Sequence, residues 1–296
     1  MKTVLFRGSG VAIVTPFAKD GVDGDALDAL VDFQLENGTA AIIACGTTGE
    51  PSTMTEAEKD AVIARVAERV HGRVPVIAGT GGNNTAKTIA AAKRAKALGA
   101  DAQLCVTPYY NKTTQHGLIA HYTAIAEDGS LPVIVYNVPA RTGLNMKPET
   151  LATLSGHENI IAMKEASGDI AQMLEMVRLC GEDIAFYSGS DENVAPLLSL
   201  GFEGVISVAA NVVPRLMHEL TAAFFAGDWR EALRHQFKVM PLVNALFCEV
   251  SPVPVKAALA LMGRCLEDVR LPLVPMLAEN RGKLVREMKA LGLIFN

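Results

Sequence analysis

The sequence has no basic stripe, no long apolar run, no paired-cysteine motif and no metal-binding signature. Each absence removes a class of function. Acids and bases are interspersed, with 27 Lys and Arg against 32 Asp and Glu and a formal net charge of −5. No face is basic enough to hold nucleic acid. No apolar run approaches the roughly 18 residues of a membrane span. The opening MKTVLFRGSG lacks the apolar core of a signal peptide, so a cytoplasmic protein is expected. The five cysteines (Cys45, Cys105, Cys180, Cys248 and Cys265) are scattered and include no C-x-x-C. An odd, dispersed set fits reduced thiols better than disulfides or a zinc site. H-E-x-x-H, H-x-H and carboxylate clusters are missing, and no metal is expected. The six histidines lie apart and read as structural or solvated. No low-complexity linker divides the chain.

What is present is a repeat. Short β-branched apolar runs recur at near-even spacing, starting at Val11, Ala40, Val74, Asp101, Leu131, Asn159, Ile184 and Gly204. They are continuous rather than alternating, as parallel strands covered on both faces should be. Helical patterns fill the gaps. Leu27, Leu30, Val31 and Leu35 share one helical face, with Gly38 as a stop. Thr55-Glu56-Ala57-Glu58 reads as a capping box. Pro148 suits a first helical turn, and Ser167-Gly168-Asp169 supplies an N-cap. Eight strands, each followed by a helix, predict an α/β fold, a closed (β/α)8 TIM barrel over residues 1–225. Residues 226–296 read as added C-terminal helices, packed on the barrel or on a neighbouring subunit. A doubly wound open sheet is disfavoured because no G-x-G-x-x-G follows the first strand.

A barrel of this kind carries its chemistry at the C-terminal ends of its strands. Lys164 lies inside IIAMKEAS, where an apolar side chain is the norm. Burial there would depress its pKa and leave free amine to attack a carbonyl. Alone, it is as readily a strand-end lysine snorkelling to water. Tyr136 ends the preceding strand. Alternation puts it on a face with Ile134, and Lys164 on a face with Ala162. If both faces point inward, the phenol can move protons for the amine; a single tyrosine is more commonly a core or interface residue. Thr47 and Thr48, flanked by glycines, can hold a carboxylate with hydroxyls and amides, although G-T-T-G by itself is also an ordinary polar turn. Arg141, in a loop beside the mouth, suits a second carboxylate or is an exposed surface arginine.

The segments C-G-T-T-G-E-P, V-T-P-Y-Y-N, Y-N-V-P-A-R-T-G and M-K-E-A-S-G, in this order, resemble the dihydrodipicolinate synthase/N-acetylneuraminate lyase superfamily. The likeness runs from about Val11 to the C-terminal helices. Arg141 matches the synthase branch, where the sugar-acid and sialic-acid lyases carry another residue. The resemblance implies condensation of pyruvate with L-aspartate-4-semialdehyde in the diaminopimelate and lysine pathway, without a cofactor. It implies that Lys164 forms the imine and that Tyr136 relays protons with Thr47 and Tyr110, the last reaching in from a neighbouring subunit. Thr47 and Thr48 would hold the pyruvate carboxylate, and Arg141 that of the semialdehyde. The backbones of Gly189 and Ile206 would lie near Lys164. The assembly implied is a homo-oligomer, a tetramer built from tight dimers. Lysine-inhibited relatives have two histidines and an acid in a cleft between subunits. Here the matching positions hold Glu56, Lys59 and Lys87, while Ser52, Asn83 and Tyr109 are kept. Weak or absent inhibition by L-lysine is therefore expected. The alternatives weighed are another pyruvate-dependent aldolase of the same superfamily, a catalytically silent binding relative, and a phosphate-binding barrel. The last needs a glycine-rich turn after strand seven or eight, which Gly189 and Gly204 do not supply.

Overall fold

The computed structural model describes residues 2–295. Eight parallel strands close into a barrel: β1 (Gly8–Ala12), β2 (Ala41–Ala44), β3 (Val76–Gly79), β4 (Ala102–Val106), β5 (Val133–Asn137), β6 (Ile160–Glu165), β7 (Ala185–Ser188) and β8 (Gly204–Ser207). β1 pairs with both β8 and β2, which completes the ring. All eight apolar runs of the sequence became barrel strands, and each is buried almost throughout. A two-stranded hairpin, Phe17–Ala18 with Gly21–Val22, follows β1 outside the barrel.

The pleat divides the buried residues into two layers. Ala12, Ile43, Ile77, Leu104, Ile134, Ala162, Ala185 and Ile206 fill the interior. Phe6 and Tyr187 close its base; their rings stack at 4.2 Å, and the Tyr187 hydroxyl donates to the Phe6 carbonyl at 2.8 Å. The alternate residues face outward and pack under helices. α1 (Gly24–Glu36) buries Leu27, Leu30, Val31 and Gln34. α2 (Glu56–Val70) opens with the expected capping box, in which Thr55 and Glu58 each satisfy the other's backbone amide. α3 (Thr85–Ala97) and α4 (Gln115–Glu127) follow β3 and β4. α5 (Pro148–Ser155) begins on Pro148, and Asp169 caps α6 (Ile170–Cys180).

A short helix, Val194–Ser199, and a longer one, Pro214–Phe225, follow β7 and β8, and three C-terminal helices, α7 (Trp229–Leu246), α8 (Val253–Leu261) and α9 (Ala278–Ala290), come after them. Val239, Leu242, Val255, Leu259, Leu284 and Met288 join the same buried cluster as Val11, Ile42, Val76 and Val205. The C-terminal helices thus share one core with the outer face of the barrel. Among the described residues no helix is long and apolar enough to cross a membrane.

Candidate active site

Position on the pleat decides which side chains meet. Tyr136 and Lys164 are register partners on β5 and β6. Both point inward with Ile134 and Ala162, and Lys164 Nζ stands 4.3 Å from the centre of the Tyr136 ring. Their neighbours Asn137 and Glu165 are also register partners, but point outward, where the Asn137 amide donates to Glu165 Oε2 at 3.0 Å. The expected inward pair therefore exists, and an outward polar pair stands behind it.

Lys164 is only 5% exposed. Burial holds its ammonium down to about 8; the Asp191 carboxylate opposes that shift, and Arg141 adds to it. A lysine so placed carries free amine near neutral pH, as a carbonyl nucleophile must. Burial pushes the Tyr136 phenol up to about 12, against the Arg141 charge and a hydrogen bond with Thr47. The phenol thus stays protonated across the neutral range. Gly189 provides the space beside the amine. A Cβ there would stand 2.7 Å from Ala166 Cβ and 3.1 Å from Lys164 Cε. Ile206 is buried in the same interior layer.

Above the pair lies a cavity of about 250 Å³, lined by Gly46, Thr47, Leu104, Val106, Tyr136, Val138, Arg141 and Thr142, among others. Lys164 is below its lining rather than part of it. Thr47 faces this space while Thr48 is buried behind it. The Arg141 loop is in fact a single helical turn, Pro139–Thr142, opened by Pro139. Thr142 stitches it: its hydroxyl accepts from the Leu144 amide at 3.2 Å and from the Thr107 hydroxyl at 3.2 Å. Asn137 closes the loop from beneath, accepting from the Met146 amide at 3.0 Å. Tyr110 is not brought to the site within this chain. It is 92% exposed, in a left-handed conformation with φ 69°.

A second cleft of about 500 Å³ adjoins the mouth, and Ser52, Glu56, Lys59, Asn83, Lys87 and Tyr109 all line it. Ser52, Tyr109, Gly79 and Gly81 wall both spaces.

The model of the dihydrodipicolinate synthetase family matches residues 5–291. The chain belongs to that family. It is 53% identical to the 4-hydroxy-tetrahydrodipicolinate synthase of Geotalea uraniireducens, over 98% of this chain and 100% of the relative. The solved dihydrodipicolinate synthase of Thermotoga maritima superposes with a TM-score of 0.97 at 45% identity, covering 98% of this chain and 100% of that one. The chloride-inhibited dihydrodipicolinate synthase of Acinetobacter baumannii, solved in complex with pyruvate, gives 0.95 at 46% identity, covering 97% and 99%. Family membership makes the chain a lyase-type synthase.

Within this family site, three carboxylates to which the sequence reading gave no role lie at strand ends. Asp191 is buried and accepts from the Val208 and Ala209 amides at 3.0 and 2.8 Å; burial pushes its carboxyl above the usual range, and its carboxylate form favours the Lys164 ammonium. Glu165 accepts from the Ser167 amide at 2.6 Å as well as from Asn137. Glu50 pairs with Lys256 at 2.7 Å, with the two side chains 1% and 0% exposed. Lys256 carried the same signal as Lys164, a charge inside an apolar run, VPVKAALAL.

Proposed function

We propose that this chain is a Schiff-base synthase that condenses pyruvate with L-aspartate-4-semialdehyde to give 4-hydroxy-tetrahydrodipicolinate. The observation that carries this reading is Lys164, a lysine buried in the barrel interior with a depressed pKa and the Tyr136 ring against its amine.

Lys164 Nζ would attack C2 of pyruvate and form a carbinolamine. Tyr136, which lines the same cavity as Thr47, is suited to hand a proton to the departing hydroxyl, which leaves as water. The iminium draws electrons from C3, so a methyl proton is lost and an enamine forms. The enamine carbon then attacks the aldehyde of the semialdehyde, and the new alkoxide takes up a proton. Attack of the acceptor's own amino group on C2 displaces Lys164, closes the ring and returns the free amine. Electrons balance without an oxidant or reductant, in keeping with the expected lack of a cofactor. Thr47 and Thr48 are suited to the pyruvate carboxylate, and Arg141, with its planar fork at the mouth, to that of the acceptor.

We propose further that the protein is a homo-oligomer, a tetramer of tight dimers in which Tyr110 of one subunit serves its neighbour. Its 92% exposure on a loop beside the mouth supports this reading. The cytosol is the compartment proposed for the reaction.

Two variants test the chemistry. Borohydride with pyruvate should add the reduced three-carbon unit to the parent protein and none to Lys164→Ala. Arg141→Leu should still be trapped by pyruvate but lose ring formation with aspartate semialdehyde by about 10- to 100-fold, as for lost charge-assisted hydrogen bonds. Trapping on another lysine in Lys164→Ala, with activity retained, would overturn the assignment. Full turnover by Arg141→Leu with sugar-derived aldehydes and not with the semialdehyde would favour a sugar-acid lyase.

A further inference from the structure

The carboxylate-binding turn is tied to a helix more than two hundred residues away. Thr47–Gly49 is one turn of tight helix, closed by the Gly49 amide on the Gly46 carbonyl at 2.8 Å and the Glu50 amide on the Thr47 carbonyl at 3.2 Å. Glu50 follows in the left-handed region, at φ 54° and ψ 41°, and begins the next turn, Pro51–Thr53. A side chain with a Cβ holds that conformation at a cost that its surroundings must offset. The surroundings here are specific. Glu50 Oε1 receives Lys256 Nζ at 2.7 Å, and Oε2 receives the Arg270 amide at 3.2 Å. The Arg270 guanidinium donates to the Thr53 carbonyl at 3.1 Å and pairs with Glu58 at the head of α2. Phe17 lies under both cations, 4.1 Å from Lys256 Nζ and 4.2 Å from the Arg270 guanidinium carbon.

A buried ion pair is a poor device for stability. Its desolvation offsets most of its attraction, and apolar residues of the same volume serve as well. Lys256 bears that cost: burial draws its pKa down, while Glu50 opposes the shift. What an ion pair does supply is direction, since leaving either charge alone in this interior is strongly unfavourable. We infer that the buried Glu50–Lys256 pair is a positioning device for the reaction: α8 sets the Thr47–Thr48 turn, and with it pyruvate binding, through Glu50. Neither residue touches the substrate cavity, so both act through Thr47 and Thr48. The C-terminal helices are then part of the catalytic apparatus rather than an external addition.

This inference rests on the imine reading above, and its test separates the two. The full-length parent, Glu50→Gln, Lys256→Met and the double variant are compared well below their melting temperatures. Two quantities are read: the pyruvate concentration that half-saturates borohydride trapping, and KM for each substrate. Each single variant should raise the pyruvate half-saturation and pyruvate KM by about tenfold or more, because a small displacement of a positioning group is costly. KM for the semialdehyde should stay near the parent value, since Arg141 sits on a separate loop. The double variant buries no lone charge and should regain stability, yet its pyruvate half-saturation should stay raised because nothing then ties the turn to α8; a double variant with the parent's pyruvate dependence would overturn the inference. If Lys256→Met does not fold, the near-isosteric Glu50→Gln carries the same readout. Variants that melt earlier yet keep the parent's pyruvate dependence would overturn the inference and leave the imine chemistry intact. An equal rise of both KM values would overturn it too. A parent protein that traps no pyruvate would instead remove the chemistry itself.

Discussion

Lys164 and Lys256 are both buried lysines, and they differ in what answers the charge. Lys256 has a carboxylate at 2.7 Å, whereas Lys164 has an aromatic ring at 4.3 Å, a more distant carboxylate in Asp191 and, among the described residues, no ion pair. The protein therefore spends stability on its nucleophile. The unfolded chain keeps the ordinary lysine value of 10.5, while the folded value is about 8. Between those values the unfolded chain binds a proton that the folded chain has released, so stability rises with pH across that window. Below about 8 the folded chain bears the whole desolvation cost, on the order of 3 kcal/mol for such a shift. Lys164→Met should thus be more stable than the parent at pH 7, by up to ~3 kcal/mol, and the gap should close towards pH 10.5. Urea unfolding at the two pH values checks this. A Lys164→Met protein less stable at pH 7 would mean that the lysine is solvated or paired. The same shift predicts that the rate of imine formation with pyruvate climbs as pH rises towards 8.

Among the elements, α2 and α3 form the walls of the second cleft, and their charges set what it accepts. Lys59 and Lys87 stand where the resemblance led us to expect a histidine and an acid. Among the described residues two carboxylates line the cleft, Glu56 and Asp60. Glu56 is already held by Lys59 and by Arg94, which also reaches Asp60 at 2.9 Å. Those bonds draw the Glu56 carboxyl below its usual range, the Lys59 contact most of all. L-lysine would therefore meet Lys59 and Lys87 with no free carboxylate to receive its ammonium group. Titrating L-lysine into the pyruvate and semialdehyde assay should leave the rate nearly unchanged. Strong inhibition at sub-millimolar lysine would require Glu56 to release Lys59 or Arg94.

At the scale of the whole molecule, one barrel core continues into the C-terminal helices, while the mouth keeps apolar groups in solvent. Tyr110 is 92% exposed and Tyr109 40%; Leu271, Val274 and Leu277 are also open, on the segment that leads to α9. An aromatic held outward on a loop at the mouth has the character of an interface residue. Sedimentation at assay concentrations should find a homo-oligomer. Tyr110→Phe should lower turnover while leaving that assembly in place. A fully active monomer would sink the shared-site reading.

The sequence alone determined the barrel, because a strand covered on both faces must be continuously apolar and eight such runs recur in order. It also marked Lys164, since a charge inside an apolar run has no ordinary reason to be there, and alternation put Tyr136 on the facing register. Local rules were enough for the capping box at Thr55 and the start of α5 at Pro148. Only the tertiary structure decided what the charges do. Lys256 meets the same rule as Lys164 but was passed over in the sequence; its partner lies 206 residues away, and no periodicity links the two. Glu165 sat in M-K-E-A-S-G and Asp191 just past the apolar run from Ile184, but which one faces Lys164 and which one ties Asn137 depends on the direction of the pleat at each strand end. Periodicity is local and survives in one dimension. Desolvation and charge pairing depend on distances that exist only once the barrel has closed.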